Sequence, residues 1–321
     1  MVFCTLFNQY YLTRGLALYQ SLKETCPEFK LYVFAFDDFT YAHIRQMNQP
    51  DLVAVSLEMF EDDALLKVKP TRSFAEYCWT STPSTILWVL NNTEETSCTY
   101  VDADLYFYHN PQILLDELTE NEDVMITSHN YTPRYDQSAL SGKYCVQFMF
   151  FRKTEKGLKV LNWWRDRCLE WCYNRHEDGK FGDQKYLDVW PEMFEGVHEL
   201  EHAGALAPWN IQQFRLKDPV NKTMLNIKSG AISPAVFFHF HGVKYYANGK
   251  FIYAPRSYTL NPEIRRGFYE PYCEVLLQQQ KTLHADGMGT QSAKQYLKDK
   301  WLKGHVANVK RNWREWVLGR N

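Results

Sequence analysis

The feature that most constrains this chain is a rhythm of short, nearly unbroken apolar runs separated by longer stretches with helical periodicity. Val2 to Phe7 is such a run, Asn8-Gln9 interrupts it, and Leu12 to Leu22 then repeats apolar residues at helical spacing, so strand, turn and helix follow in order. Lys30 to Phe36 reads as a second strand that stops at Asp37-Asp38, and Val53 to Leu57 as a third. Strands buried on both faces lose the alternation of polar and apolar residues, and helices between them cover a mostly parallel sheet. The pattern therefore predicts an α/β fold with a mixed, mostly parallel central sheet flanked by helices. Further on, Thr85 to Leu90 is helical in pattern, Cys98 to Val101 is a short strand, and Val124 to Thr127 and Val146 to Phe151 are strands. An amphipathic helix is expected over 157–174, with Leu158, Leu161, Cys168 and Trp171 on its inner side. Beyond Arg175 the pattern turns irregular until Val236-Phe237-Phe238, a short strand that delivers His239. The expected organisation is a body over residues 1–260 and a helical extension over 261–321, with a flexible linker at 285–290.

With 45% apolar residues in 321, the chain can bury a full core. A net charge of −2 argues against a basic footprint over the whole surface, and no nucleic-acid partner is expected. That average hides an asymmetry: from Gln291 onward eight Lys or Arg face two acids, leaving the tail at +6 and the rest at −8. In this tail Leu297, Trp301, Val306, Val309, Trp313 and Val317 recur at helical intervals among basic residues. Such a helix suits an anionic membrane surface, and it equally suits packing on the body. No run approaches the roughly 20 apolar residues that span a bilayer, and the start lacks the pattern of a secretion signal. The expected location is the cytoplasm, with peripheral contact on the inner face of the plasma membrane if the tail binds lipid. The eight cysteines contain no Cys-x-x-Cys pair, and a buried, reduced role follows.

Three segments carry chemistry. Asp102-Ala103-Asp104 follows the strand at 98–101, so two carboxylates stand at a strand's carboxyl end, the edge where open α/β sheets bind ligands. Two acids one residue apart can grip a divalent cation and leave positions open for phosphate oxygens. The tripeptide alone is a weak signal, since it is commonly a solvated turn, but the apolar residues on both sides place it away from any exposed loop tip. The second segment, Phe238 to Lys244, holds His239 and His241 on one side of an extended stretch, then Gly242, through which backbone amides can approach a phosphate, and Lys244, a point charge. One imidazole would complete a metal site, for Mn²⁺ better than for Mg²⁺, while the other is structural. The third, Phe181 to Asp188, brings Asp183 and Gln184 to the entry of a helix, where they either bond sugar hydroxyls or cap the helix.

In this order the segments resemble the GT-A class of glycosyltransferases and, within it, family 8, the group of glycogenin and bacterial lipopolysaccharide galactosyltransferases. Thr99 to Asp104 is similar to its strand ending in Asp-x-Asp, Gly182-Asp183-Gln184 to its Gly-Asp-Gln signature, and His239 to Gly242 to its His-x-x-Gly, and the likeness spans about residues 1–255. The resemblance implies that Asp102, Asp104 and His239 or His241 bind Mn²⁺ or Mg²⁺, and that Ala103, Gly242 and Lys244 lie along the diphosphate. It further implies that Thr5, Asn8, Tyr11 and Asp37 touch the nucleoside, that Asp183 and Gln184 face the donor sugar, and that Trp209 and Asn210 of Ala207-Pro208-Trp209-Asn210 line the sugar or acceptor pocket. The implied reaction moves a sugar from a nucleoside-diphosphate donor, UDP favoured over GDP, to a hydroxyl of a glycan or lipid-linked acceptor, with retention. Two departures stand out: 73–101 contains no Lys or Arg where the family usually carries a basic residue, and Tyr245-Tyr246 replaces the Pro-Trp expected after the lysine. The competing readings are an inactive sugar- or nucleotide-binding protein and a Mg²⁺-dependent Asp-x-Asp phosphotransferase. The phosphotransferase would need its acids after the first strand.

Overall fold

The computed structural model describes residues 1–245 and 251–285. The basic terminal helix expected from the sequence lies outside the described residues. The strands are β1 (Val2–Phe7), β2 (Lys30–Ala35), β3 (Leu52–Ser56), β4 (Ser97–Val101), β5 (Leu105–Phe107), β6 (Val124–Ser128), β7 (Tyr144–Arg152), β8 (Val197–Leu200) and β9 (Ala205–Leu206). A three-stranded ribbon of β10 (Phe214–Asp218), β11 (Thr223–Asn226) and β12 (Ile232–Pro234) follows, then β13 (Phe237–His239) and the pair β14 (Lys244–Tyr245) and β15 (Phe251–Ile252). Seven of these form the central sheet in the order β3-β2-β1-β4-β7-β6-β8. Only β7 runs against its neighbours, so the sheet is mixed and mostly parallel, as the apolar runs predict.

Each face of the sheet has its own core. Cys4 and Leu6 of β1 with Tyr32 and Phe34 of β2 point to one side, where the helices Phe74–Asn92 and Glu155–Glu170 bury Ile86, Val89, Leu161 and Trp164. Phe3 and Phe7 with Leu31 and Val33 point to the other, under the helix Leu12–Thr25. Alternation between two buried faces explains why the strands read as continuous apolar runs.

The sequence pattern shows less of the helix at 74–92 than exists. It starts at a capping box in which Ser73 accepts from the Glu76 amide and Glu76 accepts from the Ser73 amide. Its middle, Thr80 to Thr85, contains Pro83 and hydroxyl residues that are buried, which hides the apolar periodicity. The threonine hydroxyls of this stretch bond back to helix carbonyls, Thr80 to Glu76 at 2.8 Å, Thr82 to Cys78 at 3.2 Å and Thr85 to Thr82 at 2.7 Å. The helix expected to reach residue 174 ends at Glu170, where Trp171 turns extended and packs its ring inward, 7% exposed.

A small sheet in the order β5-β13-β9 sits beside the central one, with β5 antiparallel and β9 parallel to β13. The helix Glu270–Ala285 packs against the first helix and beside β13, where Tyr272 stacks on Phe240, the residue after that strand, at 3.7 Å between ring centroids.

At the sheet's far edge His198 lies between Glu122 (2.9 Å) and Glu117 (3.1 Å). Burial opposes the charged ring, but the two carboxylates prevail and raise its pKa above the ordinary histidine value. Protonation is therefore favoured in the folded state, and the stabilisation is complete below pH ~6.5 and lost as pH rises through the raised value. Replacing His198→Ala is expected to lower the melting temperature more at pH 6 than at pH 9; equal losses at both would remove this ion cluster from the stability balance.

Candidate active site and metal centre

The β4 strand is buried from Cys98 to Val101 and runs straight into Asp102-Ala103-Asp104, which turns tightly because the Leu105 amide donates to the Asp102 carbonyl at 3.1 Å. The chain re-enters β5 at once, and β5 pairs with β13 so that Leu105 faces His239 across the ladder. The Phe240 amide donates to the Asp104 carbonyl at 3.0 Å, extending that pairing to the acid itself. His239 is thereby delivered to the carboxylates from far along the chain. Its Nε2 lies 3.1 Å from Asp104 Oδ1 and 3.7 Å from Asp102 Oδ2.

Asp102, Asp104 and His239 each offer a ligand atom, all within 4.8 Å of one another. Ligands on adjacent positions about a Mg²⁺- or Mn²⁺-sized ion stand about 3 Å apart, and two carboxylate oxygens with one imidazole nitrogen form a hard donor set. The residues fit a divalent cation. Asp102 faces outward with 29% of its side chain exposed, against 11% for Asp104 and 6% for His239.

Without a cation the charges lean on one another. Burial raises the Asp102 carboxyl to about 6 against the pull of His239, with the charge of Asp104 adding to the rise. Burial would raise Asp104 too, but His239 by charge and hydrogen bond holds it at about 2. The His239 imidazole, which burial alone would neutralise, is held well above its ordinary range by the two carboxylates.

Gln147, which belongs to none of the three motifs, organises the pair of ligands. It is fully buried in β7, its carbonyl accepts from the Asp102 amide at 3.0 Å, and its side-chain Oε1 lies 2.7 Å from His239 Nδ1. With Nδ1–H donating there, Nε2 is left to face the acids. A glutamine inside an otherwise apolar strand, Val146-Gln147-Phe148, was the available signal.

The structure sorts the other candidates. His241 stands beside the three ligands, 5.7 Å from His239 between ring centroids, and is a neighbour of the cluster and not a member of it. Trp209 is 5% exposed and packs edge-on against His239 (5.3 Å) and His241 (5.7 Å), backing the two imidazoles. Asn210, expected at a pocket wall, is enclosed: it accepts from the Ala207 amide and donates to the carbonyls of Ala205 and His129, which fixes the loop carrying Trp209. Thr5 is likewise fully buried inside β1. At the first loop Asn8 accepts from the Tyr10 amide, and Asp37 accepts from the amides of Gln9 and Thr40, joining the ends of β1 and β2. Tyr11 keeps 42% of its surface.

Gly242 has φ +75°, and a Cβ there would lie 2.7 Å from Pro255, so this turn requires glycine; it places the exposed Lys244 two residues on. Gly182 at φ +53° makes the corresponding turn before Asp183. Asp183 is buried and senses Asp102: burial first, then that charge, push its carboxyl up to about 8, against hydrogen bonds from Thr82 and the backbone. Gln184 donates to the Ser141 carbonyl at 2.6 Å, and its side chain caps no helix.

A mostly parallel sheet with two acids and a distant imidazole at its carboxyl edge is the arrangement of a GT-A fold. The chain belongs to the nucleotide-diphospho-sugar transferase family, whose model matches residues 30–250. It is 32% identical over 252 residues, 75% of this chain and 81% of the relative, to the uncharacterized protein YfnF of Bacillus subtilis (strain 168). Its fold is similar to that of the galactosyltransferase LgtC, solved with donor and acceptor sugar analogs, at a TM-score of 0.51 and 12% identity, covering 87% of this chain and 96% of that one. The glycosyltransferase GlyE of Streptococcus pneumoniae TIGR4 is similar at 0.51 and 11%, covering 91% and 65%. Among the described residues no helix is long and apolar enough to cross a membrane.

Two outcomes follow. Gln147→Leu should weaken Mn²⁺ binding, read by titration, by about 10- to 100-fold, and an unchanged affinity would leave Gln147 a packing residue. Asp183, with a folded pKa far above the unfolded value of about 4, costs stability increasingly as pH rises toward 8. The melting temperature of Asp183→Asn should therefore exceed that of the parent by a margin that widens from pH 5 to pH 8.

Proposed function

We propose that this protein is a metal-dependent, retaining glycosyltransferase of the family 8 type, moving a sugar from a nucleoside-diphosphate donor, UDP favoured, to a hydroxyl of a glycan or lipid-linked acceptor. The observation that carries this reading is the convergence of Asp102, Asp104 and His239 at the carboxyl edge of the sheet. A divalent cation held there, Mn²⁺ or Mg²⁺, would supply positive charge to the departing diphosphate. The chain's own residues do the remainder. Asn8 and Asp37 shape the first loop, and the exposed ring of Tyr11 offers the nucleobase a stacking surface. Around the Ala103 and Gly242 turns backbone groups approach the diphosphate, and Lys244 adds its charge. Asp183 and Gln184 face the donor sugar. The bond between the anomeric carbon and the diphosphate oxygen breaks, the acceptor oxygen bonds to that carbon, and the acceptor proton passes to the departing diphosphate. In this scheme residues 1–260 carry the reaction, and the basic stretch from Gln291 onward gives the protein peripheral contact with the inner face of the plasma membrane.

The competing phosphotransferase would carry its acids after the first strand, whereas these follow β4, the neighbour of β1. A panel of nucleotide sugars assayed for donor hydrolysis with and without Mn²⁺ separates the enzyme from an inactive binding protein. Turnover of one donor should require the metal and fall by about 100-fold or more in Asp104→Ala. Nucleoside diphosphate should raise the melting temperature only with Mn²⁺ present and not at all in that variant. Stabilisation without metal would overturn the role given to Asp104.

A further inference from the structure

Arg14, in the first turn of the helix Leu12–Thr25, is 8% exposed. A buried guanidinium ordinarily takes a carboxylate as partner, because desolvating an unpaired charge is expensive. Here no carboxylate of the described residues is within ion-pair distance. The charge is instead held by backbone: Nη2 donates to the Val243 carbonyl at 2.8 Å and Nη1 to the Tyr10 carbonyl at 3.4 Å. Two rings flank it, Tyr11 at 4.5 Å and Tyr245 at 5.6 Å from the guanidinium carbon. Tyr245 is itself fixed by a hydroxyl contact of 2.9 Å with Thr13.

The two carbonyls belong to the loop after β1 and to the turn between His241 and Lys244, which follows the ligand His239 in the chain. Among the groups that act on the guanidinium electrostatically is Asp104. A cation neutralised by Asp102 and Asp104 would leave this buried charge without any compensating anion in its surroundings. A five-donor planar group with two ends spent on carbonyls still has N–H groups to offer, and phosphate oxygens match their geometry.

We infer that Arg14 binds the diphosphate of the donor, closing the first loop and the Gly242–Lys244 loop onto it, and that the diphosphate is the counter-ion this guanidinium lacks in the protein alone. The inference rests on the nucleotide-sugar reading above and adds a residue that no motif of that reading contains. It also accounts for positive charge at a cleft whose preceding helix, within 73–101, has no Lys or Arg.

The test is calorimetric titration of the full chain and of Arg14→Gln and Arg14→Lys with three probes: Mn²⁺ alone, inorganic pyrophosphate with Mn²⁺, and UDP or GDP with Mn²⁺. Arg14→Gln should raise the Kd for pyrophosphate on the order of 10- to 100-fold, Arg14→Lys by less, and neither should change Mn²⁺ affinity by more than about twofold. The melting temperature of ligand-free Arg14→Gln should equal or exceed that of the parent, since an unpaired buried charge is removed. If Arg14 only clamps the loops, that temperature falls and the pyrophosphate Kd stays put, which overturns the inference and leaves the donor reading standing. If the parent chain binds neither pyrophosphate nor nucleotide with Mn²⁺, both fall together. Should Arg14→Gln fail to fold, Arg14→Lys decides, and an unchanged pyrophosphate Kd in it counts against the inference.

Discussion

The pairing of β13 with β5 is the interaction on which this site depends. Three residue pairs, Phe237 with Phe107, Phe238 with Tyr106 and His239 with Leu105, set the register. Because side chains alternate along a strand, a slip of one residue would turn His239 away from Asp104 and bring a phenylalanine in its place. The register is held by more than backbone: Phe237 packs on Phe107 and Phe148, and Phe238 on Phe268 and Tyr269. The aromatic residues around 237–240 and 265–272 are thus the means by which an imidazole is kept within bonding range of two acids.

The electrostatics follow from that placement. Two carboxylates and an imidazole in poor contact with water cannot all hold their ordinary charges, and the shifts of Asp102, Asp104 and His239 in opposing directions record the conflict. A divalent cation held by the three would relieve it, taking the place of the proton that the imidazole carries. Gln147 and Trp209 leave the imidazole little freedom to relax otherwise, one through a hydrogen bond to Nδ1 and the other through an edge-on ring. Buried Asp183 interacts electrostatically with Asp102, and buried Arg14 with Asp104, so ionisable groups without an ion-pair partner lie around the ligands. Such arrangements cost stability and are retained where a ligand completes them.

Much of the framework was legible in the linear chain. The strands at 2–7, 30–35, 97–101 and 124–128 match their apolar runs closely, since burial on both faces leaves a local signature. The helix at 74–92 was half hidden, because its buried middle is built of serine and of threonines whose hydroxyls bond back to helix carbonyls, and apolar periodicity does not register them. Asp102, Asp104 and His239 were visible as motif residues, while Gln147 and Arg14 were not. Their importance lies in partners more than ninety residues away in the one case and more than two hundred in the other.

The sequence by itself determined the α/β class, the two acids at a strand's end and the short list of imidazoles that could join them, because each depends on near neighbours in the chain. Only the tertiary structure decided that His239 and not His241 completes the cluster, that Asn210, Thr5 and Trp209 are enclosed, and that a buried arginine spans the two loops. Those outcomes depend on strand register, on which side of a β-ladder a residue falls, and on which polar atoms find protein partners. Such facts arise when distant segments pack, and local spacing carries no record of them.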